Sequence, residues 1–122
     1  MSYVLTIIQE PAYLHAIVAG LNTKENVEGY LDELLRECVA RDCSRLLIEE
    51  RLDGPRLGIA DVFQITSERG NPARGHFQKI AYVDVNASGD LMQFAETVAV
   101  NRGLPVKVFS TVGDAGEWLM ER

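Results

Sequence analysis

A chain of 122 residues, 47% hydrophobic and 25% charged, has room for one buried core and the composition of an ordinary globular domain, so a single domain over 1–122 is expected. Twelve basic residues against 18 acidic ones leave a formal charge of −6, which repels phosphate backbones and anionic membrane surfaces and argues against a nucleic-acid partner. The opening MSYVLTIIQEP lacks a basic leader, and Thr6 and Gln9 interrupt its apolar stretch, so the expectation is a cytoplasmic protein with no membrane insertion.

Tyr3 to Gln9 and Tyr13 to Ala19 are β-type runs joined by Glu10-Pro11-Ala12, a connection short enough for an antiparallel hairpin. Both faces of the second run are largely apolar, which predicts a central strand. Thr23 is placed to cap a helix in which Val27, Tyr30, Leu31, Leu34, Leu35, Cys38 and Val39 recur at helical spacing. Leu46-Leu47-Ile48 then reads as a parallel strand covered on both faces and ended by Glu49-Glu50. After the polar segment Arg51 to Gly58, the residues Ile59, Val62, Phe63 and Thr66 mark a second helix. Phe77 to Val85 predicts a strand, and Ser88 caps a third helix whose core stripe is Leu91, Phe94, Ala95, Val98 and Ala99. Val106 to Phe109 is a last short strand, and Ala115, Trp118 and Leu119 give a closing helix one apolar stripe. The alternation predicts an α/β fold: a mostly parallel five-stranded sheet, an N-terminal antiparallel hairpin and about four helices, on one face or both.

The stretch Phe94-Ala95-Glu96 through Asn101-Arg102-Gly103-Leu104-Pro105-Val106-Lys107-Val108-Phe109-Ser110, with Ala115-Gly116-Glu117-Trp118-Leu119, resembles the ending of the SpoIIAA-like family of small bacterial proteins with the STAS fold. The resemblance spans nearly the whole chain. Anti-sigma-factor antagonists of this fold carry an Asp-Ser-Ser-Gly-Leu-Gly motif with a phosphorylated serine, and the similar stretch here is Asp53-Gly54-Pro55-Arg56-Leu57-Gly58. Gly54 and Pro55 stand where the serines would be, so no hydroxyl remains there to accept a phosphate. More distantly, the family is similar to the lipid-holding CRAL-TRIO domains. An apolar pocket uses the same residue types as an apolar core.

The carboxyl ends of the parallel strands gather Glu49, Glu50, Arg51, Asp53 and Arg56 with Asp84, Asn86, Ser110 and Thr111. Glu49, Glu50 and Asp84 are therefore candidate crevice carboxylates, to be weighed against a solvated loop with ion pairs such as Glu50 to Arg51 or Arg56. Asp53, Gly54, Arg56, Leu57 and Gly58 form a candidate interaction or anion-binding loop, because backbone amides at a helix start beside a guanidinium can hold an anion. Its spacing fits no nucleotide motif. His15 lies mid-strand and reads as a buried, hydrogen-bonded histidine, with no serine or cysteine tied to it. Arg69, Arg74, His76 and Lys79 form the one basic stretch, a surface loop that could meet an acidic partner. Cys38 and Cys43, five apart, match neither a redox pair nor a zinc site and read as free thiols.

The sequence thus assigns no catalytic residue, metal or cofactor, and the expected function is a non-enzymatic interaction module. It would bind a protein partner or a second copy through the second helix and the Arg51 to Gly58 loop. A carrier of a small apolar or anionic ligand is the alternative.

Overall fold

The computed structural model describes residues 3–55, 57, 58, 60, 61, 64, 65, 68, 75–85, 89–101 and 103–121. Within them the elements run β1 (Tyr3–Gln9), β2 (Leu14–Leu21), α1 (Lys24–Ala40), β3 (Arg45–Asp53), β4 (Lys79–Asp84), α2 (Gly89–Asn101), β5 (Val106–Val108) and α3 (Val112–Met120). The five strands lie side by side in chain order. β1 is antiparallel to β2, and β2, β3, β4 and β5 are parallel. The expected sheet and hairpin are both present.

Three helices are fully bounded where about four were expected. The second expected helix rests on Ile59, Val62, Phe63 and Thr66, which lie outside the described residues; between them Ala60, Asp61, Gln64 and Ile65 have helical backbone. Ser88, the expected cap of α2, also lies outside the described residues. Thr23 caps α1 as expected, its Oγ1 accepting from the Asn26 backbone N–H at 3.1 Å.

The helices divide between the two faces of the sheet. On one face Leu14, Ala16 and Val18 of β2 and Leu46, Ile48 and Leu52 of β3 pack under Val27, Tyr30, Leu34 and Cys38 of α1, with Ala99 of α2. On the other, Leu47, Ala81 and Val83 pack under Ala115 and Leu119 of α3. Strand alternation accounts for this sorting, because odd and even residues of β3 point to opposite faces. Cys38 is fully buried, which pushes its thiol up to about 12, and Cys43 is half-buried; both are free thiols.

β3 corrects the sequence reading. The strand does not end at Ile48 but runs on through Glu49 and Glu50 to Asp53. Charge reads as an exit from the sheet only when it meets water, and these two side chains are buried and partnered. β4 in turn begins two residues later than expected, at Lys79, because Phe77 packs into the core outside the ladder.

Candidate functional site

One residue of separation on a pleated strand sends Glu49 and Glu50 to opposite faces of the sheet. Glu50 lies on the α1 face, 2% exposed, and is paired in register with Asp84 on β4. The Tyr30 hydroxyl of α1 donates to its Oε2, the Tyr82 hydroxyl of β4 is also hydrogen-bonded to it, and Asp84 stands beside it in register on β4. Burial pushes the Glu50 carboxyl up to about 7, against the downward pull of the two tyrosine hydrogen bonds, and the neighbouring Asp84 pushes the same way as burial. Burial also holds the Tyr30 and Tyr82 hydroxyls well above the ordinary phenol range, so both remain donors.

Glu49 lies on the α3 face, 5% exposed. His15 Nε2 is 2.9 Å from its Oε1, and Arg51 Nε donates to its Oε2. Burial by itself would raise the Glu49 carboxyl, but the hydrogen bonds and charges of Arg51 and His15 outweigh it and the net direction is downward. The sequence grouped Glu49, Glu50 and Asp84 into one crevice; the fold brings Glu50 and Asp84 together and sets Glu49 apart on the far side. Of the expected ion pairs of Glu50 with Arg51 or Arg56, the first is replaced by one between Glu49 and Arg51, since positions 49 and 51 share a face, and the second falls on a residue outside those described.

The loop after β3 is tied back to the hairpin side of the molecule. Asn22 N–H donates to the Asp53 carbonyl at 2.7 Å, and Asn22 Nδ2 donates to the Pro55 carbonyl at 3.0 Å. Gly54 has φ 101, a conformation that disfavours any side chain, so glycine at this position is a backbone requirement. Leu57 packs partly against the α1-face core, and Gly58 has open space where a Cβ would sit. Arg56, the expected anion contact, lies outside the described residues.

The basic stretch is partly consumed inside the molecule. Lys79 Nζ donates to the carbonyls of Trp118 and Glu121 at the end of α3, and His76 Nε2 bonds the Cys43 carbonyl at 2.9 Å. Arg69 and Arg74 lie outside the described residues. Among the described residues no group of three or more His, Cys, Asp or Glu side chains is arranged to hold a metal ion, and no helix is long and apolar enough to cross a membrane.

Sequence reading missed the tyrosine cage and the His15–Glu49 pair. Tyr30 is legible as core and His15 as a bonded histidine, but each partner lies 20 or more positions away. The available signal is a rhythm: Glu50 falls midway between Ile48 and Leu52, apolar residues that a strand places on one face.

No family model matches the chain, and no curated protein matches it. Among solved structures it is similar to an uncharacterised protein of the DUF3478 family, with a SpoIIAA-like fold, from Shewanella loihica. The two share 20% identity at a TM-score of 0.58, over 97% of this chain and 94% of the other. The chain therefore has a SpoIIAA-like fold.

Proposed function

We propose that this chain is a non-enzymatic, STAS-like interaction module of the cytoplasm that pairs with a second copy of itself through the outer edge of β1. The observation that carries this reading is the character of that edge. β1 is an end strand of the sheet, and YVLTIIQ contains no charge and no proline, the devices by which edge strands ordinarily discourage pairing. Glu10 N–H donates to the Tyr13 carbonyl at 3.0 Å, and the antiparallel alternation carried back from there turns the backbone groups of Tyr3, Leu5, Ile7 and Gln9 away from β2.

The strand is also self-complementary. A two-fold axis at Thr6 sets Val4 of one copy opposite Ile8 of the other, and Leu5 opposite Ile7, the isologous arrangement of a closed dimer. Val4 and Ile8 are 68% and 40% exposed, on the half of the sheet that α3 leaves uncovered. For molecules that each carry −6, an uncharged strand is the contact with least repulsion. The loop of Asp53, Gly54, Arg56, Leu57 and Gly58 is left for a different protein partner, and with Gly54 and Pro55 in place of serines that contact works without a phosphoswitch in the motif.

Native mass spectrometry of the purified chain, beside a Val4→Lys/Ile8→Lys variant, tests the pairing. A wild-type dimer and a folded, monomeric variant are expected, because the paired lysines would face each other across the axis. A wild-type monomer at every concentration, or a variant that still dimerises, refutes it, and extra mass lost on denaturation turns the assignment to a ligand carrier.

A further inference from the structure

Two backbone hydrogen bonds close the end of α1: the Cys43 N–H donates to the Cys38 carbonyl at 2.9 Å, and the Asp42 N–H donates to the Val39 carbonyl at 3.1 Å. With Asp42 in the left-handed region at φ 51, this is the Schellman arrangement, which folds the chain back so that side chains at the places of Cys38 and Cys43 meet. The path from one Cα through the carbonyl, across the 2.9 Å link and through the amide nitrogen to the other Cα spans at most about 6.8 Å even when straight. The two cysteines therefore fall within the roughly 4.4–6.8 Å over which disulfides form. Cys38 belongs to the α1-face core, and Cys43 packs against that same core. Their spacing matches no redox motif because a helix cap, and not a loop between two cysteines, brings them together. We propose that Cys38 and Cys43 form a modification site, a dithiol that a hydroperoxide converts into a disulfide across the end of α1.

Burial sets the order of events. Cys43 is half-buried and Cys38 fully buried, so peroxide meets Cys43 first. The Cys43 thiolate attacks one peroxide oxygen: the S–O bond forms, the O–O bond breaks, and the departing hydroxide takes up the thiol proton as water. Cys43 is then a sulfenic acid. The Cys38 thiol, pushed up to about 12 by burial, keeps its proton until it attacks the Cys43 sulfur. The S–S bond forms, the S–O bond breaks, and the Cys38 proton leaves with the hydroxyl as a second water. Two thiols are oxidised by two electrons and one peroxide is reduced.

The surroundings of Cys43 fix its backbone while its sulfur remains free to turn. Its carbonyl accepts from His76 Nε2 at 2.9 Å, and the next carbonyl, that of Ser44, accepts from the Gln78 N–H at 2.7 Å. The sulfur itself is held only by a weak bond, Sγ–H donating to the Arg45 carbonyl at 3.2 Å, which loosens when the thiol gives up its proton.

Hydrogen peroxide added in excess to the full native chain, followed by alkylation of the remaining thiols in denaturant and tryptic mapping, tests this. Cleavage after Arg36, Arg41 and Arg45 leaves Cys38 in the peptide Glu37–Arg41 and Cys43 in Asp42–Arg45. The expected result is these two peptides joined, lighter than their sum by two hydrogens, from a chain that runs as a single copy on a non-reducing gel, and separated again by dithiothreitol. Cys43→Ala is expected to leave Cys38 reduced and open to alkylation. Cys38→Ala is expected to leave Cys43 without a resolving partner, so that it gains oxygen and proceeds to sulfinic acid. Should that core variant not fold, the wild-type map and Cys43→Ala decide. Two fully alkylated cysteines after peroxide, oxygen on Cys43 beside a free Cys38, or a disulfide found only between two copies overturns the proposal.

Discussion

Neighbours in sequence, Glu49 and Glu50 answer pH in opposite directions because the pleat gives each a different set of partners. Glu49, held downward by Arg51 and His15, contributes stability that is present above the unfolded carboxyl value of 4.5 and is lost as pH falls through its folded value. Glu49→Gln should therefore cost about 1–3 kcal/mol at pH 7, the loss of charged hydrogen bonds at a buried site. Arg51 is half exposed, which favours the lower part of that range. Urea unfolding at pH 7 and pH 3 checks it: the difference between variant and wild type should shrink at acid pH, and an equal cost at both would mean that the residue acts by packing alone. These two roles were only half legible in the sequence. A run of two glutamates after Leu46-Leu47-Ile48 reads as the end of a strand, since a buried carboxylate depends on partners that sequence spacing does not bring near. The place of Asp84 at a strand end, in register with Glu50, was readable from the strand pattern. The tyrosines that complete its site were legible only as apolar mass.

At the scale of elements, α3 is held at its start by its own cap and at its end by side chains of the sheet. Thr111 Oγ1 accepts from the Asp114 N–H at 3.1 Å at its start, and at its end Lys79 donates to the Trp118 and Glu121 carbonyls at 2.6 and 2.8 Å. Arg45 joins it there, donating to the Leu119 carbonyl and, at 2.8 Å, to that of Glu121. Two cations on the last carbonyls satisfy groups with no partner within the helix and complement its dipole. Lys79→Met, which keeps the stem over the Trp118 ring, should cost about 1–2 kcal/mol in thermal or urea unfolding, and a change within 0.5 kcal/mol would reject the clamp. Strand and helix order were readable because periodicities of 2 and 3.6 are local properties, as in β2 and α1. The clamp was not. Lys79 sits in a locally basic, glycine-bearing stretch that reads as solvated loop, and its acceptors lie about 40 positions on, in backbone atoms that every residue possesses. The sorting of helices to both faces was equally hidden, since an apolar stripe records that a face is covered without recording which one.

Among the described residues the sheet is asymmetric: one face is covered by α1 and α2, the other by α3 over β3 and β4, and the hairpin half of that second face carries exposed Val4 and Ile8 beside an uncharged edge. Such an edge is a standing invitation to pair, and a closed two-fold dimer is the arrangement that uses it once and stops. If the folded unit is a dimer, unfolding releases two chains from one particle, so the folded state gains about 1.4 kcal/mol per mole of dimer for each tenfold rise in protein concentration. Set against an unfolding enthalpy of about 0.7 kcal/mol per residue over two copies, that is a rise in melting temperature of about 3 °C per decade. Calorimetric scans across two decades of concentration would resolve it. Val4→Lys/Ile8→Lys should abolish the slope while leaving a cooperative transition, because both side chains project from the exposed side of β1 and neither belongs to a core. A wild-type melting temperature independent of concentration would remove the dimer, and with it the reason for an edge strand without charge.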